Sequence, residues 1–221
     1  MSVRIAIIVT SVLNTHPSPL TYAQRSIYSP HQRFEQTLLT INSIREKMGK
    51  TASIYFVEGS TLDPQMESVI KSVVDFYYNV STIEEIKAAV DCPNKGFGEA
   101  SKIKYVLDFI DQNNYDYIFK ISGRYFLGPH FQLEKFISDR PTLCTVKRPD
   151  SPVCSTVLFS VPAVQLSYFK RVFQNIIDDY KTNMSIFYEE IVTKSLEPIH
   201  RIDTCGVKGP VSVDNTFYVC E

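Results

Sequence analysis

Strand-like and helix-like segments alternate through the first 125 residues of this 221-residue chain, and that alternation constrains its fold more than any other feature. Val3 to Thr10 is a short, continuous, β-branched run, as expected of a strand covered on both faces. Gln32 to Met48 sets Phe34, Leu38, Ile41 and Met48 along one helical stripe, and Gly49 follows as a helix-ending residue. Ser53 to Val57 reads as a second strand and Asp63-Pro64 as the start of a second helix. Val73 to Val80 reads as a third strand, and Ser81 to Glu84 as a capping box opening a short helix. A turn over Pro93 to Gly98 launches a long helix with Ile103, Leu107 and Ile110 on its buried face. Tyr115 to Ile121 is a fourth strand and runs into Ser122-Gly123-Arg124. Such β–α order predicts an α/β fold, an open and mostly parallel sheet flanked by helices.

Beyond residue 125 the pattern loosens. Strands are expected over Leu143 to Lys147 and Val153 to Val161, and helices over Val164 to Tyr180 and Ile186 to Leu196. Short strands follow near Ile199 to Asp203 and Val211 to Val213. Neither an internal repeat nor a Gly/Ser-rich linker divides the chain, so one domain over residues 1–221 is expected.

Composition narrows the function classes. Lys and Arg number 23 against 24 Asp and Glu, a net charge of −1, which argues against a nucleic-acid partner but leaves room for a small anion. No apolar run approaches the roughly 20 residues of a membrane span. The apolar start reads as the first core strand rather than a leader, since Thr10 and Ser11 interrupt it. Cys92, Cys144, Cys154, Cys205 and Cys220 contain no C-x-x-C pair, and His16, His31, His130 and His200 lie far apart. This spacing suggests reduced thiols in a cytoplasmic protein and no metal site.

Ligands of open α/β sheets bind outside the carboxyl ends of the strands, so the loops there hold the candidate residues. Thr10 closes the first strand, but no G-x-G-x-x-G, G-x-x-x-x-G-K-[ST] or G-x-S-x-G follows any strand. Gly96-Phe97-Gly98 follows a turn instead and is a weak match. The long polar loop from Ser11 to Pro30 is too extended for a plain connection. It offers Arg25, with Arg33 just beyond, for phosphates and Tyr28 for stacking on a base; both arginines read equally as solvated loop or helix-start residues. Glu58 ends the second strand, where a carboxylate could accept ribose or base hydrogen bonds or simply close the strand. Phe119, Phe159, Phe169 and Phe173 fall on core positions, while Tyr28, Tyr125, Tyr168 and Tyr188 lie nearer loops or helix edges, within reach of a sugar ring.

Three stretches carry a resemblance. Asn114-Tyr115-Asp116-Tyr117-Ile118-Phe119-Lys120-Ile121 followed by Ser122-Gly123-Arg124 resembles the central strand of GT-A-fold glycosyltransferases, which runs into a D-x-D motif. Lys95-Gly96-Phe97-Gly98-Glu99-Ala100-Ser101-Lys102 resembles the donor-contacting turn that precedes that strand. Arg33-Phe34-Glu35-Gln36-Thr37-Leu38-Leu39-Thr40-Ile41-Asn42-Ser43-Ile44-Arg45 is similar to a segment of small glycosyltransferase-like proteins, including ones of large DNA viruses. The resemblance implies a nucleotide-binding half over residues 1–125 and an acceptor half over 126–221. It also implies transfer of a hexose or deoxyhexose from a UDP- or GDP-type nucleotide sugar to a glycan or glycoprotein acceptor.

The departure from that pattern is chemical. Ser122-Gly123-Arg124 has no carboxylate where a D-x-D would hold a divalent cation between the donor phosphates. A guanidinium can neutralise a diphosphate directly, so a divalent metal is neither required nor excluded. The expected donor-binding set is Thr10, Arg25, Arg33, Glu58, Lys95, Lys102, Lys120, Ser122, Gly123 and Arg124. Glu189 or Glu190, at a late helix start, would be the general base, with Asp150 and Asp214 in reserve; the helix dipole alone also favours acids there. The alternative is a non-catalytic nucleotide- or sugar-binding module with the same fold.

Overall fold

A computed structural model describes residues 3–20, 23–146, 153–214 and 216–220. The expected alternation is present. β1 (Ile5–Ser11), α1 (Pro30–Met48), β2 (Ala52–Glu58), α2 (Pro64–Val73), β3 (Phe76–Asn79), α3 (Glu84–Asp91), α4 (Lys95–Leu107) and β4 (Tyr117–Ser122) follow in order. The remainder is β5 (Phe126–Leu127), β6 (Thr142–Thr145), β7 (Cys154–Pro162), α5 (Leu166–Thr182), α6 (Tyr188–Ser195), β8 (His200–Ile202), β9 (Val207–Pro210) and β10 (Phe217–Cys220).

Seven strands form one sheet in the order β3-β2-β1-β4-β7-β6-β8. The β3–β2, β2–β1, β1–β4 and β6–β8 pairs are parallel, whereas β7 runs antiparallel to both β4 and β6. A smaller sheet, β10-β9-β5, is antiparallel throughout. Because both faces of the main sheet are covered, β1 is apolar at every core position yet divides its side chains. Ile5, Ile7 and Val9 pack with Ile41 and Ile44 of α1, while Ala6 and Ile8 pack with Ile103 of α4 and Phe169 of α5. Phe119, Phe159, Phe169 and Phe173 are all fully buried, as their sequence positions imply.

Four local expectations are corrected. Val73 closes α2 instead of opening a strand, and β3 starts at Phe76. The capping box at Ser81 does not form: Ile83 is the N-cap of α3, and Asn79 Oδ1 accepts the Ser81 amide instead. No strand occupies Val211 to Val213; that segment is the turn between β9 and β10, closed by Val211 N–H donating to the Thr216 carbonyl. The strand expected over Leu143 to Lys147 begins at Thr142, and Lys147 lies outside the described residues.

The glycines of the G-x-G turn serve packing. Asn94 caps α4 through the Gly96 amide, which puts Gly96 and Gly98 in the first helical turns. A Cβ on Gly96 would stand 2.3 Å from the Tyr180 hydroxyl and 2.6 Å from Tyr188 Cβ, and one on Gly98 would stand 2.7 Å from Val90 Cα. Gly96→Ala is therefore expected to destabilise the fold by about 1–3 kcal/mol, as overpacking does. Urea unfolding checks this; an unchanged midpoint would show that α4 has room to shift.

Candidate functional site

The strand order reverses at β1, whose neighbours are β2 and β4, so a crevice opens beyond the carboxyl ends of β1 and β4. A cavity of about 280 Å³ fills that crevice. Its floor is Thr10, Ser11, Ser122 and Gly123, and its walls come from the start of α4, the start of α6 and the β9–β10 turn. Gly123 lies against β1, its amide donating to the Thr10 carbonyl at 2.8 Å while its own carbonyl accepts from Thr37 Oγ1 at 2.8 Å. A Cβ there would sit 3.0 Å from that Thr10 oxygen, so the close approach favours glycine.

Of the expected residues, Thr10, Arg25, Arg33, Lys95, Lys102, Ser122, Gly123, Arg124 and Glu189 line the cavity. Their hydrogen bonds divide them. Arg124 spends one nitrogen, Nη1, on the Pro210 carbonyl at 3.0 Å, and its guanidinium lies 5.4 Å from the centre of the Tyr125 ring. Lys95 Nζ donates to Ser212 Oγ at 2.7 Å. Burial, then the neighbouring charges of Arg124, Arg33 and Arg25, push the Lys95 ammonium down to about 7. Arg33 bonds Nε to the Val12 carbonyl at 2.8 Å and Nη1 to Ser26 Oγ at 3.1 Å; burial and Arg124 push it down to about 9. Three cations thus converge on one cavity, and an anion bound there would relieve their mutual repulsion.

Arg25 is committed elsewhere. Its guanidinium donates to the carbonyls of Ser18 (2.7 Å), Val90 (3.0 Å), Asp91 and Cys92 (2.5 Å), which clamps the long loop onto the end of α3. Although it borders the cavity, its donors cap carbonyls, and the phosphate role expected of it does not fit.

Lys120 and Glu58 are corrected more strongly, since neither lines the cavity. Lys120 is 1% exposed, with Nζ 2.5 Å from Glu99 Oε1 and donating to Ser122 Oγ and the Thr156 carbonyl, both at 2.7 Å. Glu58 is fully buried, and its Oε1 accepts from the amides of Leu13 (3.0 Å) and Ser60 (2.9 Å) and from the Ser60 hydroxyl. It joins the loops after β1 and β2, and its Oε2 is buried without a hydrogen-bond partner among the described residues. Among the acids proposed as bases, Glu190 is exposed and away from the cavity, and Asp214 is an exposed turn residue bonded to Thr216. Asp150 lies outside the described residues.

Glu99, which sequence reasoning passed over as a site residue, is the acid at the cavity's base. It accepts from Thr10 Oγ1 at 2.7 Å, contacts Lys120 and lies 3.6 Å from Lys102 Nζ, which also donates to the Ser11 carbonyl at 3.0 Å. Burial alone would push the Glu99 carboxyl up, but Lys120, Lys102 and the hydrogen bonds overcome it and hold it down at about 2. Tyr188 and His16 also line the cavity. The Tyr188 hydroxyl is buried without a hydrogen-bond partner among the described residues, an orphan that a bound ligand could satisfy. Its place at a helix edge had marked it in the sequence; nothing marked Glu99 beyond its position in the α4 turn.

No protein-family model matches the sequence, and no curated protein is significantly similar to it. Solved structures are similar in fold. One is a glycosyltransferase involved in the glycosylation of the major capsid of PBCV-1, with 11% identity over 90% of this chain and 81% of that one, and a TM-score of 0.50. Another is the glycosyltransferase GlyE of Streptococcus pneumoniae TIGR4, with 8% identity over 90% of this chain and a TM-score of 0.52. The chain spans 45% of GlyE's length. Among the described residues no helix is long and apolar enough to cross a membrane. The chain has the fold of these glycosyltransferases.

Proposed function

We propose that this protein is a nucleotide-sugar-dependent glycosyltransferase that holds the donor diphosphate with side-chain cations. The observation that carries this reading is the position of Arg124 at the end of β4, lining the crevice beside Lys95 and Arg33. Arg124 and Lys95 face the diphosphate, Arg33 adds charge behind them, and Ser122 and Gly123 give the phosphates close access to backbone. The fold shared with known glycosyltransferases supports the reaction class.

A divalent cation does not fit the residues present. The strand end offers a hydroxyl, a glycine and a guanidinium, and Glu99, the carboxylate at the cavity's base, is already neutralised by Lys120 and Lys102. No step is therefore assigned to a metal. Glu189, in the first turn of α6, lines the cavity and is free of ion pairs among the described residues. It accepts the proton of the acceptor hydroxyl as that oxygen attacks the sugar, and the nucleoside diphosphate leaves with its charge balanced by Arg124 and Lys95. Glu189→Gln is expected to lower turnover about 10²- to 10⁴-fold with donor affinity unchanged. Transfer assays beside calorimetric donor binding check this, and full turnover would remove Glu189 from the mechanism.

Lys95 makes donor binding pH-dependent. Its ammonium is charged in the free protein below about 7. Above that pH an anion must recruit a proton with it, so affinity falls by up to about tenfold per pH unit. A nucleotide sugar has no proton on its diphosphate in this range, so a change between about pH 6 and about pH 8.5 belongs to protein groups, and Lys95→Met tells the lysine from Arg33 and His16, which line the same cavity. Lys95→Met flattens the profile; an equally steep profile in that variant would assign the dependence elsewhere. A non-catalytic binding module is the second reading, and the lysine-locked state of Glu99 is what favours it. Donor binding with no transfer or hydrolysis would select it.

A further inference from the structure

Cys144, Cys205 and Cys220 are 61 and 15 residues apart in sequence, yet their Sγ atoms all lie within 4.8 Å of one another. Cys144 comes from β6 of the main sheet, Cys220 from the end of β10 in the small sheet, and Cys205 from the turn before β9. Cys144 Sγ and Cys220 Sγ are 3.1 Å apart, well beyond the about 2.05 Å of a disulfide. Three sulfurs each about 2.3 Å from one zinc-sized ion stand about 3.8–4.0 Å apart, within the span seen here.

The surrounding backbone is built around the sulfurs. The β6–β7 register shifts between Leu143 and Cys144, an interruption of the ladder next to one of the three sulfurs. The Cys205 amide donates to Cys220 Sγ at 3.3 Å, as amides do to metal-bound thiolates, and the Gly206 amide donates to the Cys220 carbonyl at 2.7 Å. Gly206 holds a φ of +66°, and a Cβ there would stand 2.3 Å from Phe131 Cα, so this turn admits only glycine. Cys144 and Cys205 are buried, whereas Cys220 is half-buried and leaves one side of the triad towards solvent. A disulfide would use two sulfurs and leave the third without a role; one ion uses all three.

We propose that Cys144, Cys205 and Cys220 form a tripod for a thiophilic divalent ion, Zn²⁺ in type, with water as the fourth ligand. Binding converts the three thiols to thiolates and releases their protons to solvent. The ion joins β6 to the hairpin β9–β10, which carries the Pro210 carbonyl and Ser212 hydroxyl that position Arg124 and Lys95. The site is structural and does not depend on the reaction assigned to the cavity.

The test titrates Cd²⁺ into the reduced, chelator-stripped full chain and follows thiolate-to-metal charge-transfer absorption, with Zn²⁺ as competitor. The expected result is saturation at one equivalent, loss of the band in Cys220→Ser and in Cys144→Ser, and its retention in Cys92→Ser. Zn²⁺ should also raise the melting temperature of the wild type and not that of Cys220→Ser. Cys220 is half-buried, so Cys220→Ser stays informative if Cys144→Ser fails to fold. Absence of the band in the reduced wild type would overturn the proposal, as would a band undiminished in Cys220→Ser. A Cys144–Cys220 disulfide that forms readily, in a chain that binds no Cd²⁺ when reduced, would replace it with a redox pair.

Discussion

Arg124→Ala is expected to weaken nucleotide-sugar binding by about 10- to 100-fold while leaving the fold nearly intact. The variant removes charge-assisted hydrogen bonds to the diphosphate, about 1.5–3 kcal/mol in total, and each 1.4 kcal/mol is about a decade in affinity. The structural loss is smaller, because Arg124 is half-buried and gives up one hydrogen bond among the described residues, to the Pro210 carbonyl. Arg124→Lys should recover only part of the affinity, since an ammonium lacks the planar fork that meets two phosphate oxygens. Calorimetry on the three proteins, with melting temperatures measured alongside, separates these contributions. Equal affinity in wild type and Arg124→Ala would mean that Arg124 merely holds the β9–β10 turn.

Glu99→Gln should show the reverse pattern, a large loss of stability. Lys120 and Lys102 are 1% and 3% exposed, and both lose their countercharge in this variant. Breaking a buried pair by removing one partner costs about 3–5 kcal/mol. At about 2–4 °C per kcal/mol for a chain of this size, the melting temperature should fall by about 10 °C. The pH dependence has a definite sign. The folded Glu99 carboxyl sits at about 2, below its ordinary value of 4.5. Its contribution is therefore fully present above the unfolded value and is lost as pH falls from about 4.5 towards about 2. Urea midpoints measured down this range should decline in the wild type, with Glu99→Gln lacking that part of the decline. Unaltered stability in the variant at neutral pH would show that the two lysines need no carboxylate.

The parts of this account legible in the sequence are those governed by neighbours along the chain. The continuous apolar run of β1, the stripe of α1 and the amphipathic α4 follow from local periodicity, and together they imply the sheet and its crevice. Arg124 was legible for the same reason, as the residue just past a predicted strand. Lys120 and Glu58 were not, because a strand-end charge reads alike whether it faces a ligand or a buried partner. Lys120 meets Glu99 from α4, and Glu58 meets the amides of Leu13 and Ser60; both depend on tertiary packing. Gly96-Phe97-Gly98 is only a weak G-x-G match in the sequence, and the missing Cβ of Gly96 and Gly98 makes room for Tyr180, Tyr188 and Val90. By spacing alone the cysteines read as scattered thiols with no metal site, because spacing rules detect only ligands that share a local motif.

On the proposed function, cations in place of a metal hold a nucleotide diphosphate in the crevice beyond the carboxyl ends of β1 and β4. The direct test is thermal shift against UDP- and GDP-sugars with and without a divalent-metal chelator, repeated in Cys220→Ser so that loss of a metal from the cysteine triad is not counted. The expected result is a rise in melting temperature for one nucleotide class that is the same in both conditions and shrinks in Arg124→Ala. A rise that disappears with the chelator, or no rise with any nucleotide sugar, would contradict it.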